Sequence, residues 1–277
     1  MPIPAAIPAG LGKPALHLTA LRDADVVIAA SEAQRQALAA ELTHAAVTAW
    51  DAGSKTQAAA RELVPIVLSP RVSHQRAKRR WRRAMPTIGL TWGAAITGDD
   101  FILAATKYGA FGPDKALLEL GPGFGRLLAS LLNLGLPFRR YVGVDISDDN
   151  IGFLRQNFQA PNLEFVLGDF ENTVPPGEFD AVCSSLTLKH LYPSFEAALR
   201  HLSQFVRPGG LFILDLIEAD TPRRFFEADG VTYIRHYTRN EVEEILRAAG
   251  LELVAFDTVR HSDDPQHARL LVVARKP

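Results

Sequence analysis

Three glycines, three acids and one histidine hold the residue types and spacings that could do chemistry. Ala116-Leu-Leu-Glu-Leu-Gly-Pro-Gly-Phe-Gly-Arg126 sets Gly121, Gly123 and Gly125 at alternate positions after an apolar run. Glycines in such a turn let the backbone approach a ligand with no side chain in the way. Tyr141-Val-Gly-Val-Asp145 ends a second apolar run in an acid twenty positions past Gly125. A carboxylate at a strand end accepts hydrogen bonds from a sugar diol. Leu163-Glu-Phe-Val-Leu-Gly-Asp-Phe170 closes a third run on Asp169 and Phe170. His190, inside Ser184-Ser-Leu-Thr-Leu-Lys-His-Leu-Tyr-Pro193, is the side chain whose ordinary pKa suits proton transfer near neutrality.

The elements that must position these residues follow from periodicity. Leu117–Leu120 is short enough for a strand buried on both faces. Phe124, Leu127, Leu128, Leu131 and Leu132 then recur at helical spacing, and Gly135 and Pro137 stop that helix. The glycines therefore sit on a strand-to-helix turn whose free N–H groups face a polar ligand. A dinucleotide fingerprint needs a glycine where Arg126 stands. From residue 115 onward, strands are predicted at 116–120, 141–145, 163–167, 180–184, 211–216, 252–258 and 268–274. Helices are predicted near 124–134, 148–158, 194–206 and 239–249. Only a short polar loop separates the last two strands, which predicts an antiparallel pair.

The spacing E-x-G-x-G-x-G, with acids at 145 and 169, resembles the class I S-adenosylmethionine-dependent methyltransferases over roughly residues 90–277. The resemblance implies an α/β fold, a mostly parallel Rossmann-like sheet with an antiparallel final strand. It also implies S-adenosyl-L-methionine as cofactor. Asp145 would hold the ribose, Ile146 would lie against the adenine, and Asp169 would take the adenine amino group beside Phe170. Glu119 would hold the methionine ammonium, directly or through water. Gly121, Gly123 and Gly125 would form the cofactor turn, with Ser184 added where the fourth strand opens into the methyl-facing loop. His190 is the candidate base there; a histidine at this place in the family also packs or positions, and both readings stand. Lys189 is expected to face solvent. Trp92 and Tyr108 would be lid residues or would simply pack their helix. Tyr233 and His236 would line the substrate mouth or alternate along a strand.

Residues 1–20 read as a flexible, Pro/Ala/Gly-rich start, 21–88 as an accessory region, and 89–277 as the methyltransferase domain. Val26–Ala30, Ala45–Trp50 and Pro65–Leu68 look like short strands, each ahead of a helix (about 32–42, 55–63 and 74–84). A set of plain helices is the other reading. Asp25 to Arg35 is similar to a segment of family-4 glycosyltransferases, a hint toward glycan chemistry. Residues 71–83 carry six arginines, one lysine and Trp81. Such density either grips phosphates in RNA or a small substrate, or forms a solvated face tied to acidic neighbours.

Composition narrows the field further. A chain of 277 residues with 47% hydrophobic and 22% charged residues and net charge −1 is globular, with no global pull toward nucleic acid or membrane. The single cysteine, Cys183, excludes an internal disulfide, argues against a cysteine metal cluster and fits a cytoplasmic setting. No metal and no membrane span are expected, and oligomeric state is left open. The expected reaction is methyl transfer to a small-molecule or sugar-containing acceptor, at oxygen. An RNA methyltransferase using residues 71–83 and a non-catalytic cofactor-binding or scaffold subunit are the alternatives.

Overall fold

The computed structural model describes residues 5–6, 26–29, 36, 46–49, 70–82, 97–227, 232–260 and 268–277. The chain divides into two compact units, Met1–Arg80 with Ala228–Thr232, and Trp81–Glu227 with Tyr233–Pro277.

In the first unit, β1 (Ala5–Ala6), β2 (Val26–Ala29) and β3 (Ala46–Ala49) pair in parallel in that order. Strands β2 and β3 lie where the sequence predicts them, and β1 forms within the stretch read as flexible. The third predicted strand, the helix at 55–63 and all of the helix at 32–42 except the helical Gln36 lie outside the described residues. Helix α1 (Pro70–Arg82), whose last two residues belong to the second unit, opens on a proline, which suits a first helical turn, and starts four residues before its predicted position.

The second unit is built on seven strands in the order β11-β12-β8-β7-β4-β5-β6. Their ranges are β4 (Gly112–Leu120), β5 (Phe138–Asp145), β6 (Leu163–Leu167), β7 (Phe179–Ser184), β8 (Val206–Glu218), β11 (Glu252–Val259) and β12 (Arg269–Arg275). Strands β4 to β8 pair in parallel, and β12 runs against both β8 and β11. A hairpin, β9 (Arg223–Phe226) with β10 (Tyr233–Tyr237), joins the end of β8 through His236↔Ile217. Strand β9 was not expected: Arg-Arg-Phe-Phe has no alternation, and three of its four residues are exposed.

Apolar residues on both faces make the central strands a middle layer. Leu118, Leu120, Val142, Val144, Phe212 and Leu214 pack on α5 (Glu196–Leu202) and α6 (Arg239–Ala248). Leu117, Tyr141, Leu211 and Ile213 pack on α2 (Asp99–Thr106), α3 (Arg126–Asn133) and α4 (Asp148–Asn157). The period of two then carries Glu119 and Asp215 to the α3 face. Helix α3 begins at Arg126 rather than 124 because Gly125 is left-handed, φ 80°. A Cβ there would stand 2.6 Å from the Phe158 ring. Gly125→Ala is therefore expected to destabilise the fold by about 1–2 kcal/mol from backbone handedness alone, and further through that overlap. Chemical denaturation measures it; an unchanged midpoint would contradict the packing described.

Candidate active site

The parallel strands β4, β5, β7 and β8 end together, and the start of β12 lies level with the end of β8. The sheet order reverses between β4, whose neighbours are β5 and β7, and its two flanks; ligands bind at such a switch point. Every sequence-derived site residue within the described residues belongs to the second unit. Trp92 lies outside them.

At the glycine turn, Asp145 is buried and accepts from Gly123 N (3.0 Å), Ser147 N (2.9 Å) and Asn150 Nδ2 (3.3 Å). Burial raises its pKa, and these donors pull it back. A carboxylate offers about four lone-pair positions, so there is room for one ligand hydroxyl more readily than for the two that the sequence suggested. Gly123 is left-handed, φ 57°, and a Cβ there would meet nothing within 4 Å, so its face is open. Half-buried Ile146 and buried Phe170 flank this end of β5 and β6. Half-buried Asp169 accepts from Glu171 N through Oδ1 and from Asn172 N and Thr173 N through its carbonyl.

Glu119 is buried and receives the Tyr141 hydroxyl at 2.5 Å. Burial pushes its pKa up to about 7, against the pull of the Tyr141 hydroxyl and the Arg126 charge. A buried carboxyl so placed gains by meeting an ammonium, and the open glycine beside a hydroxyl-accepting acid fits a nucleoside. The residues present thus fit S-adenosylmethionine.

A second network lies across the loop that follows β7. Arg126 donates from Nη1 to Thr97 O (2.9 Å) and from Nη2 to Ser185 Oγ (2.7 Å). Ser185 Oγ in turn donates to Asp215 Oδ2 at 2.5 Å, and Leu186 N donates to Asp215 Oδ1 at 2.8 Å. Leu186 is left-handed, φ 62°, a costly conformation for a leucine that these bonds hold in place. Sequence reasoning missed this network, although Asp215 interrupting Leu211-Phe-Ile-Leu-Asp-Leu-Ile217 was the available signal.

Two expectations are corrected at this loop. Ser184 is fully enclosed and donates to Leu120 O at 3.1 Å, so its hydroxyl ties β7 to β4 instead of facing a ligand. Lys189 is only 5% exposed, because the single 3₁₀ turn Leu188–His190 folds it inward, not to solvent. Burial, with the charge of Arg269 next, pushes its pKa down to about 7.

His190 is buried, with Nδ1 2.8 Å from Tyr233 O. A carbonyl only accepts, so Nδ1 carries a proton, and in the neutral ring Nε2 then holds the lone pair. The imidazole also packs at 4.2 Å from the Trp81 ring within the same unit. Tyr233 is buried with its hydroxyl on Pro193 O (3.1 Å), and half-buried His236 packs edge-on to Phe225. Tyr108 is engaged with the outer strand, its hydroxyl donating to Asp257 Oδ2 at 3.3 Å. On α1, Arg76, Lys78, Arg79 and Arg80 are half-buried and each has a partner; Arg83 lies outside the described residues. Among the described residues no group of three or more His, Cys, Asp or Glu could hold a metal ion. No helix there is long and apolar enough to cross a membrane.

The strand order, the reversed strand β12 and the glycine turn between β4 and α3 define a class I S-adenosylmethionine-dependent methyltransferase fold. Residues 118–214 match the family model described as Methyltransferase domain. A fatty-acid O-methyltransferase of Mycolicibacterium smegmatis is 37% identical over 100 residues, 36% of each chain. A phthiotriol/phenolphthiotriol dimycocerosates methyltransferase of Mycobacterium tuberculosis is 30% identical over 138 residues, 49% of this chain and 51% of its own. The chain thus spans from about a third to half the length of these relatives. Among solved structures, the Burkholderia thailandensis 1,6-didemethyltoxoflavin-N1-methyltransferase shares the fold with TM-score 0.55 at 22% identity. That match covers 68% of this chain and 82% of the other.

Proposed function

We propose that this protein transfers the methyl group of S-adenosylmethionine to an oxygen of a small-molecule or lipid acceptor. The observation that carries the reading is the pair of buried carboxylates, Glu119 and Asp145, on either side of a left-handed glycine turn whose Gly123 face is open. Asp145 would hold the ribose and Glu119 the methionine ammonium, while Ile146, Phe170 and Asp169 would meet the adenine. When bound, the sulfonium supplies an activated methyl group; the chain's own task is to align an acceptor oxygen with it and exclude water. The relatives named for fatty-acid and phthiotriol substrates support a lipid-like acceptor. Residues 89–277 are assigned to this activity and 21–88 to an accessory region, in a cytoplasmic protein whose one cysteine is a buried free thiol. The partnered arginines of α1 weigh against an RNA acceptor.

The test is transfer of labelled methyl from S-adenosylmethionine to a lipid extract, with total RNA in parallel. Label in the lipid fraction alone is expected, and label in RNA alone would overturn the acceptor assignment.

The contacts of His190 give a separate prediction. His190→Ala is expected to lower the unfolding temperature, because the Tyr233 contact and the Trp81 packing are lost. Turnover per folded molecule should stay within about tenfold of the parent, short of the 10²–10⁴-fold effect of removing a general base. A fall in that larger range, with loss of the pH dependence of an imidazole, would assign Nε2 the role of base toward a hydroxyl acceptor.

A further inference from the structure

Resting on that reading, we infer that the acceptor is an apolar carboxylic acid, held by Arg269 and Lys189 and methylated on its carboxylate oxygen. Arg269 opens β12 level with the carboxyl end of β8, since the next residue pairs with Leu216. Among the described residues, its Nε and Nη1 are buried and have no hydrogen-bond partner. Donors of a cationic group left so are costly, and a structure that keeps them calls for a missing acceptor.

The neighbouring acid cannot fill that place. Asp215 is engaged by Ser185 and Leu186, and Arg126 already donates to Ser185 and to Thr97. Burial first and then the charge of Arg269 lower the pKa of Lys189, with Asp215 and Glu227 pulling it back; burial first, then Arg223, Arg269 and Lys189, lower that of His236. Arg269 and Lys189 thus share one electrostatic neighbourhood beside the methyl-facing loop, and a carboxylate placed on the open Arg269 donors would be favoured by both. The adjoining hairpin supplies apolar surface: Phe226 packs on Tyr233 at 5.3 Å, Tyr192 packs on Tyr233 at 5.2 Å, and Phe225 is exposed. An anionic head beside aromatic walls matches an acid with an apolar body.

The chemistry balances without a base. A carboxylate oxygen forms the new O–C bond with its lone pair as the C–S bond breaks, and that bond's electrons stay on sulfur. Anion and sulfonium become a neutral methyl ester and a neutral thioether, and no proton is released. His190 can then keep its contacts throughout.

The experiment titrates dodecanoate, dodecan-1-ol and methyl dodecanoate into the full chain saturated with S-adenosylhomocysteine, read by calorimetry. Dodecanoate is expected to bind about 10- to 100-fold more tightly than the alcohol, the size of a charge-assisted contact. In Arg269→Gln and Lys189→Met the preference should shrink to about threefold or less, and Arg269→Lys should restore part of it. Affinity for S-adenosylhomocysteine should be unchanged in all three. With labelled S-adenosylmethionine and dodecanoate, the product label should be released by mild alkali, as from an ester. Equal binding of acid and alcohol, a preference that survives both substitutions, alkali-stable label, or loss of S-adenosylhomocysteine affinity in the variants would each overturn the inference. Failure of the parent protein to bind S-adenosylhomocysteine would instead sink the methyltransferase reading itself.

Discussion

Asp145→Ala is expected to weaken S-adenosylmethionine binding about 10- to 150-fold, corresponding to the 1.5–3 kcal/mol typical of hydrogen bonds to a charged group. Two losses combine in that figure. On the proposed reading the ribose loses its acceptor, and Gly123 N loses the carboxylate that it meets at 3.0 Å. Asp145→Asn separates them: its oxygen can still take one hydrogen bond, but its amide cannot accept from Gly123, Ser147 and Asn150 together. An intermediate loss is expected for Asn. Titration calorimetry on both variants decides, and parental affinity in the alanine variant would remove Asp145 from the cofactor site.

Glu119 should make both stability and cofactor binding depend on pH. Its folded-state pKa is raised from 4.5 to about 7, chiefly by burial. The protonated form is therefore favoured by folding, and its contribution is fully present below about 4.5. It is lost as pH rises from there through about 7. At pH 8 the buried charge costs roughly 3 kcal/mol, and Glu119→Gln should recover much of that in the ligand-free protein. Binding runs the opposite way. An ammonium partner needs the carboxylate, so affinity should climb up to about 50-fold between pH 5 and 7. It should level off before the ligand's α-amino group deprotonates near 8. Unfolding curves and binding isotherms across pH 5–8 read both trends. A parent protein with flat profiles, or a Gln variant that keeps the slope, would contradict the assignment.

Much of this site was legible because its parts terminate strongly patterned segments. Leu117–Leu120 with three alternate glycines, and apolar runs closing on Asp145 and Asp169, announce strand ends, and strand ends are where this fold binds. The expected partnership of the last two strands also holds, with β12 antiparallel to β11. What escaped lies in short or irregular pieces. Lys189 sits on one 3₁₀ turn, too short for any period to say which way a side chain points. Strand β9 has four residues and little burial. Arg126 drew notice only for breaking a dinucleotide fingerprint, and its link through Ser185 to Asp215 joins residues 89 positions apart. Such contacts come from topology, which local sequence does not encode.

The order in which the sheet's strands are made differs from the order in which they lie. Strand β4 is made before its six partners in the main sheet yet sits between β5 and β7, and β12 is made after them yet sits between β8 and β11. During synthesis, β4 and β5 can pair early, but β8 keeps an open edge until residues 269–275 have emerged. Its row Leu211-Phe-Ile-Leu, buried in the finished fold, stays available to other chains for that interval. A ribosome stalled before residue 269 is thus expected to hold a chain that recruits chaperones or aggregates, even though most of the glycine-turn site has already been made.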